Sequence, residues 1–259
     1  MIPAAIETTH NNAHFKRKDK TMAYSNATIK KVYGDLQNLI SYYGNKPADD
    51  IKVSISAGNK KIGRVLNVSL APIHTCANCS GCMHYCYDIK ACLQYKNVRD
   101  ARARNTVLAL KYRDKFFSAI ISKLSKRRIN KFMRWHVSGD IPDYDYLDRM
   151  VQIARMFPDF VFWTYTKNYF VVNQYVKDHG GDRFAAIPAN LSIMFSEWDS
   201  MPLINPYNFP IFTVKLKAGN VNHDSNFFDG LFKCPGNCDV CKFVKRGCIV
   251  GENTYTDEH

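Results

Sequence analysis

Apolar residues at Ile29, Val32, Tyr33, Leu36, Leu39, Ile40 and Tyr43 recur at spacings of three and four, which predicts a helix over Thr28–Tyr43 with one face turned to a core. Gly44 stands where a C-terminal cap belongs, and Pro47 follows. From Ile51 to Ser56 the period drops to two, the alternation of a half-buried strand, and Arg64–Leu70 reads as a second strand. Strand and helix then take turns. Ala101–Leu124 has the pattern of a long helix, Phe132–Ser138 of a strand, and Tyr144–Met156 of a helix behind Asp143 as N-cap. Phe160–Thr166 is a strand, Tyr169–Asp178 a helix closed by Gly180-Gly181, and Leu191–Phe195 and Phe209–Leu216 are two more strands.

Strands separated by helices of ten or more residues build βαβ units on a parallel sheet. The expectation is an α/β fold, an incomplete parallel (β/α) barrel of about six strands with a cysteine-rich C-terminal extension. Its parts are a basic, flexible lead-in over 1–24, the barrel domain over 25–230 with a cysteine-rich loop at 76–92, and a metal-stapled extension over 231–259. The 259 residues and a hydrophobic share of 46% suit one such globular domain. The longest apolar runs, such as Phe160-Val161-Phe162-Trp163, are far shorter than the roughly 18 residues that span a bilayer, so no membrane is expected. The polar N-terminal stretch has no signal-peptide core, and the expected compartment is a reducing cytoplasm.

The nine cysteines are an odd number in two groups, which argues against a disulfide framework and for ligands. Cys76, Cys79, Cys82, Cys86 and Cys92 form the first group, and Cys234, Cys238, Cys241 and Cys248 the second. Cys76 to Cys86 is a C-x2-C-x2-C-x3-C run, the spacing by which bacterial ferredoxins hold a [4Fe–4S] cluster, although Tyr87 stands where a proline usually follows. Zinc is the alternative metal, since tetrahedral thiolate sites also use C-x2-C pairs. The second group, C-x3-C-x2-C-x6-C, supplies four thiolates for another cluster or a zinc staple. Cys92 is a fifth ligand or a buried thiol on the helix after the loop. Whether the two groups meet at one centre is open at this stage.

The runs Ser69-Leu70-Ala71-Pro72 and Thr75-Cys76, then Cys82-Met83-His84-Tyr85-Cys86-Tyr87, resemble the phage gene product 88 family. The resemblance continues through His136-Val137-Ser138-Gly139-Asp140, Phe162-Trp163-Thr164-Tyr165-Thr166 and the terminal cysteine-rich stretch. That family in turn is distantly similar to radical S-adenosylmethionine enzymes. The likeness implies an iron–sulfur cluster at a barrel mouth after the first strand, with Tyr85 before the last cysteine. It also implies Gly139 and Asp140 as candidates for binding S-adenosylmethionine. The chain departs from the radical enzymes in two ways. Their C-x3-C-x2-C spacing is found at Cys234, Cys238 and Cys241 instead of the first loop, and their Gly-Gly-Glu is here Ser138-Gly139-Asp140.

Asp140 falls at the end of a strand, where barrel active sites are built, or serves as a turn acid. His136 is a polar residue of the barrel lumen sharing Ser138's face, or a core histidine. Trp163, Tyr165 and Lys167 share a face, and Lys167 at the strand's end invites an anion. His74 and His84 flank the cysteines, as outer hydrogen-bonding partners or as ligands in place of a thiolate.

The chain carries 36 Lys+Arg against 23 Asp+Glu, a net +13. Residues 96–134 hold thirteen of the basic residues against only Asp100 and Asp114. Such a segment can neutralise nucleic-acid phosphates or balance an anionic cluster. The functional expectation is an iron–sulfur redox or radical enzyme using Asp140, His136 and Lys167, with a reductant protein or small-molecule substrate as partner. The alternative is a nucleic-acid-binding protein with structural clusters.

Overall fold

Seven strands lie side by side in one open sheet, every neighbouring pair parallel. They are β1 (Leu66–Asn67), β2 (Phe132–Arg134), β3 (Val161–Thr166), β4 (Leu191–Ser196), β5 (Ile211–Lys215), β6 (Phe232–Lys233) and β7 (Thr254–Asp257), in the spatial order β1-β2-β3-β4-β5-β7-β6. The computed structural model describes residues 23–59, 62–79, 81–199, 201–217 and 219–257. Residues 1–22 of the expected lead-in lie outside the described residues.

Parallel sheets are covered on both faces, which is why β3, with its Val, Phe, Trp, Tyr and Thr, is almost continuously buried. One face packs against helices α3 (Lys96–Lys111), α4 (Arg113–Ser125), α5 (Tyr144–Met156) and α6 (Tyr169–Asp178). Met133, Phe162, Ile193 and Phe195 meet Leu108, Phe117, Leu147 and Val176 there. The alternate residues, Val161, Trp163, Tyr165, Met194 and Phe212, face the other way and meet Cys238, Cys241, Cys248 and Ile249. Helix α1 (Asn26–Gly44) is capped by Ser25, whose hydroxyl accepts from Thr28 N at 3.2 Å. It buries Ile29, Val32 and Leu36 against Ala71, Ile89 and Cys92.

Chain handedness decides which face the tail covers. From β1 to β5 each step moves in one direction, and the helical connections pack on one face. The step from β6 to β7 moves back towards β5. A right-handed crossover taken backwards must pass over the opposite face. Its helix, Cys238–Val244, and the 3-10 turn Gly247–Val250 accordingly pack on Trp163 and Met194. The segment from residue 231 thus contributes two strands and one crossover to the same sheet.

Three expectations need correction. Ile51–Ser56 is not a strand of the sheet: Asn105 takes both backbone groups of Ser54 (2.8 and 2.9 Å), and one antiparallel bridge joins Ser56 to Asn67. The helix expected over Ala101–Leu124 begins earlier, at Lys96, and breaks at Tyr112 (φ −127°, ψ 51°), whose hydroxyl donates to Lys46 O at 3.0 Å. The strand expected to reach Ser138 ends at Arg134, because His136 takes a left-handed backbone (φ 52°).

Candidate metal centres at the sheet's carboxyl edge and inner face

After β1 the chain runs buried through Val68–Ala71, held to the β2 side by Val137 N donating to Val68 O and Leu70 N to Ser138 O. Left-handed backbones at Ile73 and Asn78 then curl it into the cysteine loop. The loop is pinned across the carboxyl edge by Asn78 Nδ2, which donates to Lys167 O at 2.9 Å. Tyr24 ties it from the other side, donating from its N–H to His84 O at 2.7 Å while its carbonyl meets His84 Nδ1 at 2.8 Å. Cys82 lies in a 3-10 turn, Gly81–Tyr85, and Cys86 is the N-cap position of α2 (Tyr87–Gln94).

The thiols of this loop are neighbours. Hydrogen bonds to Cys76 and Cys82, together with burial, push the Cys79 thiol up. The Cys79 hydrogen bond holds Cys82 down against its burial; Lys167 lowers it further, and Asp140 opposes. Burial raises Cys86 to about 12, with the neighbouring Cys76 adding to it. Cys92 is fully buried on α2, its Sγ 3.7 Å from Asp88 Oδ2, outside this group. Asp88 is itself buried and held by a two-pronged pair with Arg102, at 3.0 and 3.2 Å.

Asp140 stands where the sheet ends beside Cys82. Its Oδ1 accepts from Ile141 N at 2.7 Å and its Oδ2 from Lys167 N at 2.8 Å. Burial raises it to about 6, against the lowering effect of these bonds. The Lys167 ammonium donates to Ser196 Oγ at 2.8 Å. Gly139 (φ 79°) lies so close that an added Cβ would be 2.6 Å from Thr75 Oγ1. Tyr85 meets Trp198 with ring centroids 5.5 Å apart. His136 is turned away from this group. Its Nδ1 lies 3.2 Å from Thr164 Oγ1 and its Nε2 3.0 Å from Tyr146 Oη on α5, and burial holds it neutral, down at about 3. This is the arrangement of a core histidine, with both nitrogens engaged.

The second group gathers on the sheet's other face. Cys241 is raised to about 12, first by burial and then by Cys234, Cys248 and Cys238. Cys248 is raised to about 11 by burial, while hydrogen bonds to Tyr165 and Thr254 pull it down. Arg134 stacks on the Tyr165 ring at 4.6 Å, and its charge acts on Cys238 and Cys248 as well as on Tyr87, next to Cys86. It therefore stands between the two cysteine groups. Among the described residues, no three Cys, His, Asp or Glu side chains form a ready-made metal cage as they stand. The donor chemistry nonetheless fits a soft metal. Four thiols lie near one another in each place, half-buried or buried, and a soft cation would neutralise the mutual repulsion of their thiolates.

Sequence reading missed the pair Glu197–His223. Glu197 is buried just after β4, 2.7 Å from His223 Nε2, and His223 stacks on Phe227 at 3.5 Å. A strand-end acid, like Asp140, was the available signal for Glu197; nothing marked His223. The basic segment is also less free than its count implies. Arg102, Arg104, Arg113, Lys115 and Lys131 form ion pairs with Asp88, Asp100, Asp143 and Asp145, Asp49, and Asp159.

Together these features define an α/β protein with an open parallel sheet, one cysteine loop at its carboxyl edge and another across its inner face. The chain belongs to the gene product 88 family, whose model matches residues 38–247. No curated protein and no solved structure matches it. Among the described residues, no helix is long and apolar enough to cross a membrane.

Proposed function

We propose that the protein is an iron–sulfur redox protein with two cluster sites, working in the reducing cytoplasm of a phage's host. The observation that carries this reading is the crowding of Cys76, Cys79 and Cys82 at the carboxyl edge of a parallel sheet, against Lys167 and Asp140. The carboxyl edge is where such folds place their chemistry. Cys76, Cys79, Cys82 and Cys86 would hold the first cluster and Cys234, Cys238, Cys241 and Cys248 the second, each supplying one-electron transfer when bound. Zinc in the second site is the competing assignment.

The chain's own groups have definite tasks. The Lys167 ammonium beside Cys82 favours the thiolate form and offsets the negative charge of a ligated loop. Arg134 does the same for Cys238 and Cys248. Asp140 ties the loop after β2 to the end of β3 by accepting from Lys167 N, and its bond from Ile141 N holds its own carboxylate in place beside the first site. Asp140 is buried and its carboxylate already accepts from Ile141 N, Lys167 N and the Thr166 side chain, which leaves little of it for the ammonium of S-adenosylmethionine. The reading therefore needs no such cofactor and takes a reductant protein or a small oxidisable molecule as partner.

Anaerobic purification with iron, zinc and acid-labile sulfide measured on one sample tests this. About four irons and four sulfides per cluster are expected. Zinc without sulfide would overturn the reading and leave a stapled binding protein, for which salt-dependent binding of DNA or RNA is the next measurement. An electron paramagnetic resonance spectrum of the reduced protein that stays unchanged on adding S-adenosylmethionine supports full cysteine ligation; a shift would mean an open iron and a radical enzyme.

A further inference from the structure

Away from both cysteine groups, a cleft of about 450 Å³ runs between α4 and the segment 49–55, which is extended from Ile51 onward after the 3-10 turn Ala48–Asp50. Lys115 and Lys123 line it from one stripe of α4 and Lys126 from its C-cap, with Ala119 and Ser122 between them, and Lys52 lines it from the facing wall. Its floor is aliphatic: Ile51, Val53 and Ile55. Lys115 is committed to Asp49 at 2.9 Å and to Ala48 O at 2.5 Å. Lys52, Lys123 and Lys126 are exposed, and among the described residues they take no partner.

The extended segment has one used edge and one free edge. Successive residues of an extended chain point their N–H and C=O groups to opposite sides. Ser54 and Ser56 spend theirs on Asn105 and Asn67. Among the described residues, the backbone groups of Val53 and Ile55, which point the other way, have no hydrogen-bond partner. An unpaired extended edge is a template for another strand.

We propose that this cleft binds an extended acidic peptide of a partner protein by β-strand addition to residues 52–55. The alternating residues of such a peptide would face the aliphatic floor and the lysines. The stripe from Lys115 to Lys126 spans about 16 Å at 1.5 Å per helical residue, enough for about five extended residues. Backbone pairing supplies affinity, and alternation of acidic and β-branched side chains supplies specificity. The named lining contains no aromatic ring on which bases could stack, which favours a peptide over single-stranded nucleic acid.

The test uses the full-length protein and a fluorescein-labelled Glu-Val-Glu-Val-Glu-Val peptide, read by anisotropy at low salt. The same composition in block order, Glu-Glu-Glu-Val-Val-Val, and an oligo-dT of matched charge are the comparisons. The alternating peptide is expected to bind about tenfold more tightly than either. The double variant Lys123→Glu, Lys126→Glu changes only exposed side chains, and it is expected to weaken binding at least about tenfold. Two further peptides, N-methylated at every Val or at every Glu, separate strand addition from simple charge attraction. One isomer loses the donors facing the cleft and about tenfold in affinity, and the other binds as the parent does. Equal binding of both isomers, an unaffected lysine variant, or tighter binding of oligo-dT than of the alternating peptide each overturns the proposal.

Discussion

Replacing Gly139 by Ala should destabilise the protein more than the same change at Gly180, and the difference isolates one contact. Both glycines have left-handed backbones, φ 79° and 91°. That conformation costs an L-residue about 1–2 kcal/mol. At Gly180 an added Cβ meets nothing within 4 Å, so the backbone cost is the whole effect. At Gly139 the Cβ would come to 2.6 Å from Thr75 Oγ1, 2.7 Å from Leu70 Cβ and 3.2 Å from the Leu70 carbonyl carbon. Leu70 is fully buried and its N–H is bonded to Ser138 O, so it has nowhere to retreat. Overpacking of this kind adds about 1–3 kcal/mol. Gly139→Ala should therefore cost about 2–5 kcal/mol and Gly180→Ala about 1–2. Urea titrations measure both as midpoint shifts at unchanged slope. Thr75 immediately precedes Cys76, so Gly139→Ala should also lower metal uptake by the first loop while Gly180→Ala leaves it intact. Equal destabilisation by the two changes, or a larger one at Gly180, would refute the close approach of the two loops.

Three more outcomes follow from the same geometry. Burial holds His136 at about 3, below its ordinary 6.5, so the unfolded chain takes up a proton that the fold refuses. The His136 contribution to stability should fall as pH drops from about 6.5 towards 3, by up to about 1.4 kcal/mol per unit, while Asp140, raised to about 6, acts with the opposite sign below that pH. The stability difference between the wild type and His136→Gln should therefore change with pH by that amount; a pH-independent difference would show that the fold accepts a charged His136. Cys76→Ser with Cys82→Ser, and separately Cys238→Ser with Cys241→Ser, should each abolish about half the bound metal by elemental analysis, given two four-thiolate sites. Complete loss from either pair would mean a shared centre. Ending the chain at Glu252 removes β7 and leaves β6 without a neighbour, so the product should fail to give one cooperative unfolding transition by circular dichroism. A soluble product that unfolds cooperatively would contradict this account of the sheet.

Where one residue's surroundings are local, the sequence was readable. Helices α5 and α6 run over the predicted Tyr144–Met156 and Tyr169–Asp178, because apolar periodicity and caps act within a few residues. The Asp143 carboxylate does accept from Tyr146 N, at 2.9 Å. The division of the cysteines into two groups was equally plain from spacing. Long-range partners left no such trace. Ile51–Ser56 has a strand's pattern, yet Asn105 claims its backbone. Strands β6 and β7 span two and four residues, too short for a period to show. For His136, lumen residue and core histidine stayed open beside Ser138 because alternation assumes a strand, and the strand had already ended at Arg134. Glu197 and His223 are joined only by tertiary structure.

The place of β7 also bears on how the tail opens and closes. A strand added at an edge can peel away from one side, but β7 is bonded to β5 on one flank and β6 on the other. The crossover bearing Cys234, Cys238, Cys241 and Cys248 can detach whole only when β7 leaves the β5 ladder. Opening of this kind is an all-or-none event of a contiguous unit, and amide exchange along Thr254–Asp257 should report it as a single rate. The least regular part of the chain thereby shares the slow clock of the sheet's interior: one strand inserted between two others acts as the bolt for the entire cysteine loop.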